Sequence, residues 1–117
     1  MRHPLRRFKA DFFKALAHPG RVKILESLRE GEKTVTEIQA LLDEEPASAS
    51  QQLAVLRMKD LVVGRKEGTS VYYSVRDPLI FDILDTARQM FNNQVTHAQA
   101  MLEEEEEEAL SGAASGR

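Results

Sequence analysis

Ser48, Ser50, Gln51, Gln52 and Arg57 are the residues of this chain whose types and spacing could do recognisable chemistry. Hydroxyls and carboxamides offer donors and acceptors without net charge. Such groups read base edges: Gln can bond adenine bidentately, and Ser can serve several bases. They lie in PASASQQLAVLRMKDL, residues 46–61, where Ala49, Leu53 and Leu56 recur at helical spacing and should face a core. Ser48, Gln51, Gln52 and Val55 then fall on the opposite side, with Ser50 and Arg57 at its edge. On an isolated helix the same face would be ordinary solvated surface, so the context has to decide.

A second group is cationic. Arg65, Lys66 and Arg76 lie along or near two β-rich runs, Leu61-Val62-Val63 and Val71 to Val75. Between the runs is GRKEGTS, with Gly68 in a polar tip, which reads as a hairpin. Val71, Tyr73 and Val75 alternate with Tyr72 and Ser74, so one face can rest on helices. A cationic hairpin beside a polar-faced helix forms a wing that touches phosphates. Phosphate contacts fix position and supply salt-dependent affinity, while the helix discriminates sequence. An ordinary solvated hairpin is the bland alternative.

The elements that must hold these groups can be read in order. Residues 5–17 place Leu5, Phe8, Phe12, Phe13 and Leu16 on one side of an amphipathic helix. Three phenylalanines are more apolar surface than a bare terminal helix needs, so a mixture of core packing and subunit contact is expected. His18-Pro19-Gly20 breaks that helix, and His18 reads as a structural hydrogen-bonding residue at the junction. Pro19 suits the first turn of a second helix, Gly20 to Arg29, which Gly31 ends. Thr34 and Glu37 have capping-box spacing at the start of TVTEIQALL, whose buried stripe is Ile38, Leu41 and Leu42. Asp43-Glu44-Glu45 is the turn, and Pro46 fits the first helical position with Glu45 as its cap. Two short helices, a tight turn and a polar-faced helix make a helix-turn-helix pattern. After Asp77-Pro78 a last helix begins, with Ile80, Ile83, Leu84, Ala87, Phe91, Val95, Ala98 and Leu102 three and four apart. About 22 residues span roughly 33 Å, more than a domain of this size needs to close its own core. The stripe reads as a dimer interface shared with the first helix, against the alternative of packing within one subunit.

Composition bounds the function. A length of 117 residues suits one domain, expected over residues 1–102, with residues 103–117 an acidic, disordered tail. The net charge of −3 conceals a positive body. Six of the 19 acidic residues are Glu103 to Glu108, and residues 1–102 hold 13 acids against 15 Lys and Arg. The absence of cysteine excludes disulfides, thiolate metal sites and thiol redox sensing. There is no glycine-rich phosphate loop and no convergent His/Asp/Ser constellation, so neither an enzyme nor a cofactor is expected. No apolar run approaches the ~20 residues of a membrane span. The basic start, MRHPLRRF, is not followed by a signal-peptide hydrophobic region, and a cytoplasmic protein is expected.

Taken together, FFKALAHPGRVKILESL, TVTEIQALL, SASQQLAVLRMKDLV and VGRKEGTSVYYSV resemble, in order and spacing, the ArsR/SmtB group of small winged-helix transcriptional regulators over roughly residues 8–91. The resemblance implies a mainly α fold with a small β-hairpin, a winged helix-turn-helix. It implies a homodimer joined by its long first and last helices, through residues such as Leu5, Phe8, Phe12, Ile80, Ile83, Leu84, Ala87, Phe91 and Val95. It implies that Ser48, Ser50, Gln51 and Gln52 enter the major groove and that Arg65, Lys66 and Thr69 lie on the wing. Members of the group are usually repressors of a palindromic double-stranded operator, released by an inducer. The sensor departs from the pattern, because the metal-binding cysteines many members carry are missing. Asp82, Asp85 and His97 on the last helix are weak candidates for an intersubunit metal site, since zinc needs about four ligands. Three readings stay open: a dimeric repressor, a metal-responsive version of it, and a winged-helix module that binds protein without DNA.

Overall fold

Pro4, Pro19 and Pro46 each open a helix, where a missing N–H is no loss because the first-turn donors have no intrahelical acceptor. The computed structural model describes residues 3–42 and 46–115. The expected turn at Asp43 to Glu45, with Glu45 as a cap, lies outside the described residues. Among the described residues five α-helices and three strands run in the order α1 (Pro4–Leu16), α2 (Pro19–Ser27), β1 (Lys33–Thr34), α3 (Val35–Leu42), α4 (Pro46–Met58), β2 (Val62–Glu67), β3 (Ser70–Val75) and α5 (Leu79–Ser115). This is the mainly helical winged helix-turn-helix that the sequence implies, with a wing of three antiparallel strands ordered β1-β3-β2.

The chain divides after Phe81 into two units. In the first, Ile24, Leu25 and Leu28 meet Ile38 and Leu42 of α3 and Ala49, Leu53 and Leu56 of α4, and Val62 and Tyr73 close the core from the sheet. The three buried positions of α4 are those its spacing predicts.

Local sequence explains each boundary. The α2 helix stops at Ser27, two residues short of the expected Arg29, and tightens into a 3-10 turn over Leu28–Glu30. Gly31 then takes φ 132, a conformation L side chains rarely adopt. The capping box forms: Glu37 N–H donates to Thr34 Oγ1 at 3.3 Å, and Thr34 N–H donates to Glu37 Oε1 at 3.0 Å. The backbone N–H and hydroxyl of Thr34 hold the Glu37 carboxyl below its ordinary pKa. Thr34 also ends β1, which pairs Lys33 with Tyr73 and Thr34 with Tyr72. The hairpin strands run further than the sequence predicts, through Arg65 and Lys66, leaving a two-residue turn. Its first residue, Gly68, has φ 62, the sign that position needs in a type II′ turn.

The α4 helix ends at Met58, short of the expected Leu61. Leu61 N–H donates to Leu56 O at 2.9 Å and Asp60 N–H to Arg57 O at 3.0 Å, a Schellman closure with Asp60 at φ 57. The left-handed region disfavours any residue with a Cβ by roughly 1–2 kcal/mol, less for Asp. Asp60→Gly should therefore raise unfolding stability by about 1 kcal/mol, read as a higher urea midpoint with unchanged slope. No gain would mean that the exposed Asp60–Arg76 pair, 3.4 Å apart, offsets the relief.

Asp77 starts α5 by accepting from Leu79 N–H at 3.0 Å. The helix does not give way to a disordered tail after Leu102. It continues through Glu103–Glu108 to Ser115, 37 residues in all. Glu, Ala and Leu are strong helix formers, whereas like-charge pairs four apart oppose the helix by only a few tenths of a kcal/mol each and are screened by salt. Among the described residues no helix is long and apolar enough to cross a membrane.

Candidate nucleic-acid interface

Anchored by its three core residues, α4 exposes a strip made of Ser50, Gln51, Ala54, Arg57 and Met58. At 3.6 residues per turn, Gln51 and Met58 lie diametrically across from the buried row. Ser48, Gln52 and Val55 are half-buried on one flank. The sequence pattern had grouped them with Gln51, and it missed Ala54 and Met58. Met58 is 77 % exposed, a large apolar group at the end of a strip that is otherwise polar but for Ala54. Gln51 makes no hydrogen bond among the described residues, so both ends of its carboxamide are available.

Gln52 differs, because its amide nitrogen position lies 3.3 Å from His18 Nε2. The other ring nitrogen, Nδ1, accepts from Gly20 N–H at 3.0 Å and caps α2. This fits the structural hydrogen-bonding role read for His18 at the helix junction. Gly20 is buried, and a Cβ there would stand 3.0 Å from His18 Cε1 and 3.1 Å from Nδ1. A side chain there would press on the ring, which would have to give by a few tenths of an ångström.

On the wing, Arg65 is tied within the chain. Its guanidinium reaches Glu32 at 2.6 Å and Glu67 at 2.7 Å, and it sits over the Tyr72 ring, 4.9 Å from the centroid. The tie crosses the outer face of the sheet from β2, over β3, to the residue just before β1. These hydrogen bonds raise the Arg65 pKa and hold the Glu32 carboxyl below its usual value. Glu32 does not stand out in the sequence, being 33 positions away, whereas Glu67 lies two residues along the same strand. Lys66 and Thr69 are exposed near the tip, and Lys66 has no ion pair among the described residues.

Two helices keep apolar side chains uncovered. On α1, Leu5 and Phe8 are exposed, while Phe12 is half-buried and stacks with Phe8 at 6.1 Å and edge-on with Phe13 at 5.3 Å. On α5, Ile83, Ala87, Met90, Phe91, Val95 and Leu102 are exposed and Leu84 is half-buried. Ile80 must be removed from the expected interface. It is 5 % exposed and belongs to the core of the first unit, because the helix's first turn carries it inward beside Phe81, over which Arg29 lies.

The candidate metal residues Asp82 and His97 are fifteen positions apart on α5, roughly 22 Å along the axis at 1.5 Å per residue. Among the described residues no three His, Asp or Glu side chains gather as ligands would.

Comparison with known proteins agrees with this architecture. The family described as bacterial regulatory protein, arsR family, matches residues 18–63. The HTH-type transcriptional regulator Rv0081 of Mycobacterium tuberculosis is 39% identical over 102 residues, covering 86% of this chain and 90% of its own. Its crystal structure superposes with a TM-score of 0.74 at 38% identity, over 83% of this chain and 98% of that one. The HTH-type transcriptional regulator NmtR of the same organism is 41% identical over 78 residues, 67% of this chain and 65% of its own. The homodimeric winged helix-turn-helix DNA-binding domain Mb0332 of Mycobacterium bovis, solved in solution, has a TM-score of 0.71 at 29% identity, over 80% of this chain and 87% of that one.

Proposed function

The chain belongs to the arsR family of bacterial regulatory proteins, DNA-binding transcriptional regulators and not enzymes, and from that premise we propose that it is a homodimeric repressor of a palindromic operator. The observation that carries the reading is the exposed, mainly polar strip of α4, fixed from behind by Ala49, Leu53 and Leu56 and followed in sequence by a wing that exposes Lys66. Ser50, Gln51 and Arg57, with Ser48 and Gln52 on the flank, enter the major groove. Lys66 and Thr69 meet the phosphate backbone, and Arg65 joins them where a phosphate displaces its carboxylates. The uncovered apolar residues of α1 and of α5 support pairing with a second copy, as in the homodimeric Mycobacterium bovis relative. Two copies would set their reading helices about 34–36 Å apart, one turn of duplex. The protein acts where the chromosome is, in the cytoplasm.

Footprinting on the DNA upstream of its own gene tests this, with affinity followed from about 50 to 200 mM salt. A protected inverted repeat with steep salt dependence is expected. No salt-dependent binding to any promoter fragment would leave only a protein-interaction module. Lys66→Ala should weaken operator and random DNA alike and lower the salt slope by about 1, the signature of one lost phosphate contact. A loss confined to the operator would instead make Lys66 a base reader.

A further inference from the structure

The contact between His18 and Gln52 contains more chemistry than a helix cap requires. A backbone N–H can only donate, so the Gly20 bond occupies the Nδ1 lone pair of His18. The ring proton must then sit on Nε2, and Nε2–H is a donor. Facing it at 3.3 Å is the end of the Gln52 carboxamide. Two donors cannot bond each other. A half-turn about the last side-chain torsion exchanges the amide O and N at almost no steric cost, so Oε1 is the atom that faces His18. The NH2 group is then the end left for a ligand. The Gly20 N–H bond and the close approach of the buried Gly20 to the ring hold this geometry from α2.

We propose that His18 is a positioning residue for sequence reading: by holding Gln52 Oε1, it commits that side chain to donating through its NH2 group. The proposal rests on α4 being the reading helix. An amide free to flip meets donor and acceptor edges equally well, whereas a fixed one favours an acceptor. In the major groove guanine offers O6 and N7 and thymine offers O4, while cytosine offers only the N4 donor. Gln52 should therefore favour guanine or thymine, and disfavour cytosine, at one position of each half-site. Gln51, unbonded within the chain, is not restricted in this way.

The test compares wild type, His18→Asn, Gln52→Ala and the double variant on operators carrying each base pair at every half-site position. Asn is among the best N-caps, so His18→Asn keeps an acceptor for Gly20 N–H but lacks the imidazole that reaches Gln52. Thermal unfolding of each variant checks that the fold is kept. His18→Asn and Gln52→Ala should flatten the same position by roughly 3- to 10-fold, the worth of one hydrogen bond, and the double variant should lose no more. Nitrogen-15 spectra of wild type should show the His18 proton on Nε2. A proton on Nδ1, or an undiminished preference at the Gln52-dependent position in His18→Asn, overturns the proposal. A wild type with no preference at any position overturns the regulator reading and this proposal with it. That outcome is told apart from failure of the proposal alone because the wild-type preference is scored first.

Discussion

Phe91→Asp should give a monomer that binds operator about 10²- to 10⁴-fold more weakly than wild type, because a dimer's second half-site binds at high effective concentration. Phe91 is 63 % exposed on α5, in a run of uncovered apolar residues that includes Ile83, Ala87 and Val95. An aromatic ring buries some 150–250 Å² when a partner covers it. An aspartate at the same place would have to leave water without a counter-charge, at a cost of several kcal/mol. Since Phe91 lies outside the core of the single chain, the subunit should keep its fold and its circular dichroism spectrum. Sedimentation equilibrium decides the matter: an intact dimer would refute the pairing of this helix. Random DNA, which needs no matched half-sites, should lose less.

Gln51→Ala should remove roughly 1–3 kcal/mol of discrimination between operator and random DNA for each half-site, if the amide bonds one base bidentately. Gln51 sits across α4 from Leu53 and Leu56 and makes no hydrogen bond to the described chain, so its truncation takes nothing from folding. Competition binding with operator against random duplex, on the same preparation, measures the ratio directly. Equal losses on both duplexes would reassign Gln51 to the backbone. Gln52→Ala should behave differently, since it also leaves His18 Nε2 without its partner.

Periodicity made the core side of α4 legible, because Ala49, Leu53 and Leu56 are apolar at spacings of four and three and all became buried. It was less informative about the outer side. Ser48, Gln51 and Gln52 are equally polar, and only the approach of α2 separates a half-buried glutamine from an exposed one. The capping box at Thr34 and Glu37 is a short-range device and was readable. The strand at Lys33–Thr34 was not: two residues show no alternation, and the pairing partners Tyr72 and Tyr73 lie far along the chain. The same holds for Glu32 and Arg65, whose proximity is created by the β1-β3-β2 order. Ile80 misled because an apolar stripe at the start of α5 is continuous in sequence while its first member turns into the chain's own core. The length of α5 beyond Leu102 is not legible from the apolar stripe, which ends there, because intrinsic helix propensity rather than burial carries Glu103–Glu108.

The knot of Arg65, Glu32, Glu67 and Tyr72 bears on how a salt titration of this protein would look. Added electrolyte displaces protein cations from DNA, but it also slackens exposed ion pairs within the protein. As the carboxylates let go, a guanidinium becomes free to engage the duplex while the other contacts are fading. The plot of log affinity against log salt should therefore bend, flattening as salt rises. Replacing Glu32 and Glu67 by glutamine should straighten it, and the number of ions released would then count the contacts themselves.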